Sequence, residues 1–237
     1  MNINSFFYKV VLTTNELQEC RFLGSAFPIT PNGGLLTCRH VLNIDKKDNE
    51  TLAVIDNERG QIVPIQKYDF SKQYDLDMAF IPNAFQRKKA EFFPILSPDR
   101  ILMGEDVYSV GYYMTGINPK AGYFKGNIVN FSAFQHPAES LSLSYPVIEG
   151  LSGSPVLTYH NGPKVVGLCY GSVQSRVVAS EIVEYQDDRV KHQETVNRIV
   201  ELGQAYHANA LISFLRDISV HEFTVSSERL TIPGLSS

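Results

Sequence analysis

EGLSGSPVL, residues 149–157, is the stretch on which the reading of this chain turns. A serine stands between glycines, Gly150-Leu151-Ser152-Gly153, and Pro155 follows. Glycine and serine are common turn residues, so Ser152 is either part of an ordinary turn or a hydroxyl presented on one. As a nucleophile it needs an adjacent base, and the base needs a carboxylate to orient it. Two other stretches offer those groups. LLTCRHVL (35–42) puts His40 at the end of an apolar run, and YDLDMAFIP (74–82) puts Asp77 at the start of an alternating one. Asp75 competes for the carboxylate role, because residues two apart share a strand face. Chain order is then His40, Asp77, Ser152.

The surrounding pattern is all-β. Short runs rich in Val, Ile, Phe and Tyr alternate with Gly, Pro, Asn and Asp, which reads as strands joined by turns. Strands are predicted at 6–13, 21–29, 34–38, 51–56, 61–69, 76–81, 106–112, 123–132, 141–147, 154–159, 164–171 and 198–207. Asn161-Gly162 is a strong hairpin turn. One helix is predicted at 209–218, with Leu211, Ile212, Leu215 and Ile218 on one face. The stretch 85–105 is the best boundary between two packed β units. Residues 174–197 are more charged than their surroundings and read as an inserted loop. The end of the chain reads as a loosely held tail.

These stretches, taken in order, resemble a trypsin-like (chymotrypsin-fold) serine protease of the bacterial, disulfide-free kind. GSAF (24–27) and GGLLTCRHV (33–41) resemble the family's strand and histidine box. DLDMAFI (75–81) resembles its aspartate box, with Asp77 two positions before Ala79. LMGEDVYSVGYY (102–113) and FKGNIVNFSA (124–133) resemble the opening of the second barrel. GLSGSPVL (150–157) resembles the serine box, VVGLCYGS (165–172) the substrate-pairing strand, and LGQAYHANALISFL (202–215) the last strand and closing helix. Leu151 and Ser154 depart from the family pattern.

The resemblance implies two six-stranded antiparallel β-barrels with a C-terminal helix. Residues 1–90 would form the barrel carrying His40 and Asp77, 91–218 the barrel carrying Ser152, and 219–237 the tail. It implies a serine endopeptidase in which His40 is the base, Asp77 orients it, and Ser152 attacks. The N–H groups of Gly150 and Ser152 would form the oxyanion hole. Tyr145, Pro146, Glu149, Cys169, Tyr170, Gly171 and Ser172 would bind substrate. None of the pocket residues Tyr145, Pro146, Tyr170, Gly171 and Ser172 is acidic, so an uncharged, apolar residue is expected before the cut, with Glu149 at the rim. Some such bacterial proteases serve stress or phage defence, and that role is carried here as an expectation. No metal or organic cofactor is implied. A protein or peptide substrate is, with room for a regulatory protein partner. The same fold without activity, binding peptides or a partner, is the alternative from another class.

Composition narrows the setting. Lys and Arg number 21 against 25 Asp and Glu, a net charge of −4. With no basic block, nucleic-acid binding has no electrostatic support. The N-terminus lacks the basic and apolar regions of a signal peptide or membrane span. Cys20, Cys38 and Cys169 lack metal-ligand spacing and read as buried free thiols of a reducing compartment, so a cytoplasmic protein is expected. His136, His160, His192, His207 and His221 are scattered. An α/β-hydrolase order, Ser152 with Asp187 or Asp188 and His207, is disfavoured because Ser154 occupies the second glycine of that motif. Leu151 cannot pair with a freed N-terminus, so activation by N-terminal cleavage is not expected. Control would then fall to the 174–197 segment beside the pocket.

Overall fold

The structure, a computed structural model, describes residues 6–14, 20–56, 60–72, 76–85, 91–131, 140–159, 161–186 and 189–227. The first sheet contains β1 (Tyr8–Thr14), β2 (Cys20–Pro28), β3 (Leu35–Thr37), β4 (Glu50–Asp56), β5 (Gln61–Pro64), β6 (Asp69–Phe70) and β7 (Ala79–Ile81). Its order is β5-β4-β1-β2-β3-β7-β6. β1 lies centrally because Val10 and Leu12 point to the core while the backbone pairs with β2 on one side and β4 on the other. The expected strand 61–69 is broken into β5 and β6. Pro64, which lacks an N–H, ends the first piece.

The second sheet contains β8 (Ile95–Leu96), β9 (Asp106–Thr115), β10 (Asn118–Asn130), β11 (Ser140–Leu143), β12 (Pro155–Tyr159), β13 (Pro163–Gln186), β14 (Arg189–His207) and β15 (Val225–Ser226). The run β12-β9-β10-β11-β14-β13 returns to β12 through a direct β12–β13 pairing. That closes a six-stranded antiparallel barrel, with β8 and β15 added outside it in parallel. The fold is therefore the double β-barrel that the resemblance implies. The first sheet has seven strands rather than six. Asn161 and Gly162 both take positive φ between β12 and β13, the turn conformation their types favour.

Among the described residues two α-helices and a short 3-10 turn (Pro98–Arg100) complete the fold. α1 (Arg39–Leu42) is a single turn after β3, so His40 sits on a helical turn and not on a strand end. Arg39 lays its guanidinium over the Phe70 ring, 5.1 Å from its centre. α2 (Ala208–Asp217) closes the second barrel and buries Leu211, Ile212, Phe214 and Leu215. His207 caps it by accepting the Asn209 N–H, and burial lowers its pKa, so this histidine is a structural one. Among the described residues no helix is long and apolar enough to cross a membrane.

Two expectations are corrected. Residues 174–197 are not an inserted loop. They are the outer part of one long β-ribbon, in which β13 and β14 stay paired from Gly167–His207 out to Gln186–Arg189. The described side chains between Gln174 and Val183 and between Thr195 and Glu201 are exposed or half-exposed, so polar residues interrupt the apolar signature of a buried strand. Cys20 is not buried: it opens β2 at the sheet's margin and is exposed, whereas Cys38 and Cys169 are buried free thiols.

Candidate active site

His40 and Asp77 meet although they come from separate segments. The backbone N–H of His40 donates to Asp77 Oδ1 at 2.7 Å, and His40 Nδ1 is hydrogen-bonded to Asp77 Oδ2. One carboxylate thus fixes both the main chain and the ring of the histidine. Asp77 is itself held from both ends. Its carbonyl accepts from the Arg39 N–H, and its own N–H donates to Tyr206 Oη at 2.8 Å. Tyr206 belongs to β14, in the other barrel, and stacks on Tyr170 with ring centres 4.4 Å apart. Burial raises the Tyr206 pKa, so the phenol stays neutral and can accept from Asp77. His40 is about half exposed and Asp77 less so, at 49% and 30% of their side chains. Asp75, the rival carboxylate, lies outside the described residues, as do His136, His160, Asp187 and Asp188.

The Ser152 turn is tied to the first barrel. The Ser152 carbonyl accepts from the Ser25 N–H at 2.9 Å, and the Ser25 hydroxyl donates to the Gly150 carbonyl at 3.0 Å. The Cys169 carbonyl accepts both the Gly153 N–H and the Cys38 thiol, at 2.9 and 3.1 Å. Cys38 precedes His40 by two residues and Gly153 follows Ser152, so this shared acceptor draws the two segments together. The Ser152 hydroxyl is half-buried and donates to the Tyr170 carbonyl at 3.4 Å. Among the described residues it has no hydrogen bond to His40. Ser154, the alternative serine, is fully buried over Gly111 and out of a substrate's reach.

The amides of the turn divide into two sets. Those of Leu151, Gly153 and Ser154 donate to the carbonyls of Ile148, Cys169 and Leu151. Among the described residues those of Gly150 and Ser152 donate to none. They are the pair the resemblance assigns to an oxyanion, and uncommitted donors at a turn can serve a developing negative charge. Gly150 and Gly153 take φ of +90° and +85°. At Gly153 an added Cβ would lie 2.0 Å from the Ser25 carbonyl oxygen and 2.5 Å from Thr37 Oγ1. The clash is with backbone, which cannot swing aside. Gly153→Ala should therefore lose about 3 kcal/mol or more, lowering Tm by roughly 10 °C. A thermal melt measures this, and an unchanged Tm would refute the account of the turn.

The substrate-binding residues fall into two groups. Gly171 and Ser172 continue β13 away from the serine, and Glu149 is exposed at the edge. Tyr145 and Cys169 face inward. Their side-chain polar atoms both bond Ser109 Oγ, at 2.7 and 3.2 Å, and burial pushes Cys169 up to about 12 and Tyr145 well up too. The two walls expected to flank the pocket touch. Val147 N–H donates to Ser172 Oγ at 2.7 Å, and the Gly203 N–H donates to the Tyr145 carbonyl at 2.9 Å.

Donor atoms of Cys38, His40 and Asp77 lie within 4.8 Å of one another, close enough for one metal ion. Each is already engaged: the His40–Asp77 bond uses the ring and carboxylate, and the Cys38 thiol donates to a carbonyl. Burial, then the Asp77 charge, raises the Cys38 pKa and favours the neutral thiol. Tyr206 and Ser25 are the site residues that sequence reasoning missed. The one available signal was general, that a buried tyrosine hydroxyl needs a partner.

The sequence matches the trypsin-like peptidase domain over residues 24–168. That span covers the segments of His40, Asp77 and Ser152. A comparison with curated proteins finds no match.

Proposed function

We propose that this chain, which belongs to the trypsin-like peptidase domain family, is a serine endopeptidase working through His40, Asp77 and Ser152. The observation that carries the reading is the Asp77 carboxylate, bonded to both the main chain and the ring of His40 beside a turn with two uncommitted amides. In the reaction Ser152 Oγ leaves the Tyr170 carbonyl and turns to His40 Nε2. It attacks the peptide carbonyl while His40 takes its proton. The oxyanion settles between the Gly150 and Ser152 N–H groups, and Asp77 stabilises the imidazolium. His40 then gives the proton to the leaving amine, and an acyl-enzyme remains. A water, deprotonated by His40, attacks the ester; its collapse returns the proton to Ser152 and frees the acid.

A second reading, a catalytically silent fold that binds peptides, draws support from the Ser152 hydroxyl bonding Tyr170 instead of His40. Catalytic hydrogen bonds in substrate-free proteases are often long or misaligned, so this bond does not exclude catalysis. A fluorophosphonate probe separates the two. Covalent labelling of the wild type, absent in Ser152→Ala, supports the peptidase. No labelling of either supports the silent fold. The setting we infer is a reducing bacterial cytoplasm, on the free thiols. A role in stress or phage defence comes from the resemblance, with a narrow substrate range.

A further inference from the structure

Asp77 stands just ahead of β7, outside any strand. Among the described residues its main chain has two partners, the Arg39 N–H on its carbonyl and Tyr206 Oη on its N–H. Leu76 and Met78, on either side of it, are buried. Their packing holds the segment in place but sets no direction, because apolar contact is non-directional. Direction matters at this point. The Asp77 N–H lies in the planar peptide unit that enters its Cα, and when that unit turns the carboxylate turns with it. The carboxylate in turn holds both the main chain and the ring of His40. The Tyr206 hydroxyl is thus the group that sets the plane on that side.

Tyr206 is itself firmly set. On β14 it pairs with Leu168 on one side and Ser140 on the other, within the closed second barrel. It is buried, and its ring lies against that of Tyr170 at an interplanar angle of 28°. The Tyr170 carbonyl accepts the Ser152 hydroxyl, and the Cys169 carbonyl beside it accepts the Gly153 N–H. β13 therefore holds the serine turn, while its neighbour β14 holds the aspartate. Base and nucleophile come from different barrels, yet both are set against one pair of strands. We propose that Tyr206 is a positioning residue for the reaction: its hydroxyl orients Asp77, and through it His40, against Ser152. The proposal rests on the peptidase reading and adds a side chain to it that touches none of the reacting atoms. Reacting groups tolerate little error, since a misplacement of about 1 Å costs on the order of 100-fold in rate.

The test is Tyr206→Phe in the full chain. It keeps the ring and its stack on Tyr170 and removes the hydroxyl alone. With the variant shown by a melt to be folded, kcat should fall about tenfold to a hundredfold. KM should stay within about twofold, the pattern of a loss felt in the transition state and not in binding. A second measurement sees the pair directly. The His40 Nδ1 proton, held against a carboxylate, gives a far-downfield proton resonance, identified by its absence in His40→Ala. In Tyr206→Phe that resonance should shift or broaden away. In the wild type the Asp77 amide should resist hydrogen exchange. An unmoved resonance in the variant would overturn the proposal even if the rate fell, since the hydroxyl would then act elsewhere. A kcat within twofold of the wild type would overturn it too. Fast exchange of the Asp77 amide would do so without any variant. A resonance that moves, in a wild type that cleaves nothing and takes no fluorophosphonate label, would instead refute the peptidase reading and uphold the hold of Tyr206 on the His40–Asp77 pair.

Discussion

Ser152→Ala and His40→Ala are each expected to lower kcat/KM by about 10⁴-fold or more. The two changes remove different halves of one proton transfer. Without the hydroxyl no acyl-enzyme can form, and without the imidazole the hydroxyl keeps its proton. Their effects should not multiply, because a group that acts as a unit is lost once. The fold should survive both. Among the described residues the side chain of Ser152 bonds only the Tyr170 carbonyl, at 3.4 Å, while its backbone carbonyl, which ties the turn to Ser25, is untouched. The His40 ring is half exposed, and removing it leaves the backbone N–H to Asp77 in place. Initial rates on an unfolded protein substrate, together with melts of each variant, decide the matter. Activity within tenfold of wild type in Ser152→Ala would place the nucleophile elsewhere.

Asp77→Asn should be nearly as severe, with a loss of roughly 10³- to 10⁴-fold. The carboxylate offers one oxygen to the His40 N–H and the other to Nδ1. An amide has a single acceptor oxygen. If that oxygen keeps the backbone bond, the amide nitrogen faces Nδ1 as a donor. The ring is then driven to carry its proton on Nε2, the atom that must accept one from Ser152. The bond from the Asp77 N–H to Tyr206 is main-chain and persists, so stability should change little. Asp75→Asn serves as the comparison and should be mild. Loss of activity in Asp75→Asn with retention in Asp77→Asn would reverse the assignment.

Local chemistry decided which features could be read in advance. Ser152, His40 and Asp77 each stand in a short stretch whose composition marks it, and Asn161-Gly162 specifies a turn by backbone preference alone. The links between those stretches left no local trace. Ser25 grips Gly150 across 125 positions, and Asp77 reaches Tyr206 across 129. No periodicity encodes such pairs. The strands β8 and β15 are two residues each, too short to set up an alternation. The ribbon failed to register for the opposite reason. It is long enough, but its valines and isoleucines, Val178, Ile182, Val196, Ile199 and Val200, are exposed and scattered among polar residues, and its charges read as a loop. The link between Val147 and Ser172 was hidden too, since a serine in that stretch gives no hint that its hydroxyl accepts from the Val147 N–H.

Three bonds, Ser25 to Ser152, Cys38 to Cys169 and Asp77 to Tyr206, each join one barrel to the other. On the peptidase reading, activity would thus be a gauge of assembly. A gene divided between the segments for Ile81 and Ile95 would yield two fragments, each with part of the machinery and neither with all of it. Fused to two other proteins that meet, such halves would turn proximity into hydrolysis: the architecture is that of a split reporter whose signal is switched on by docking.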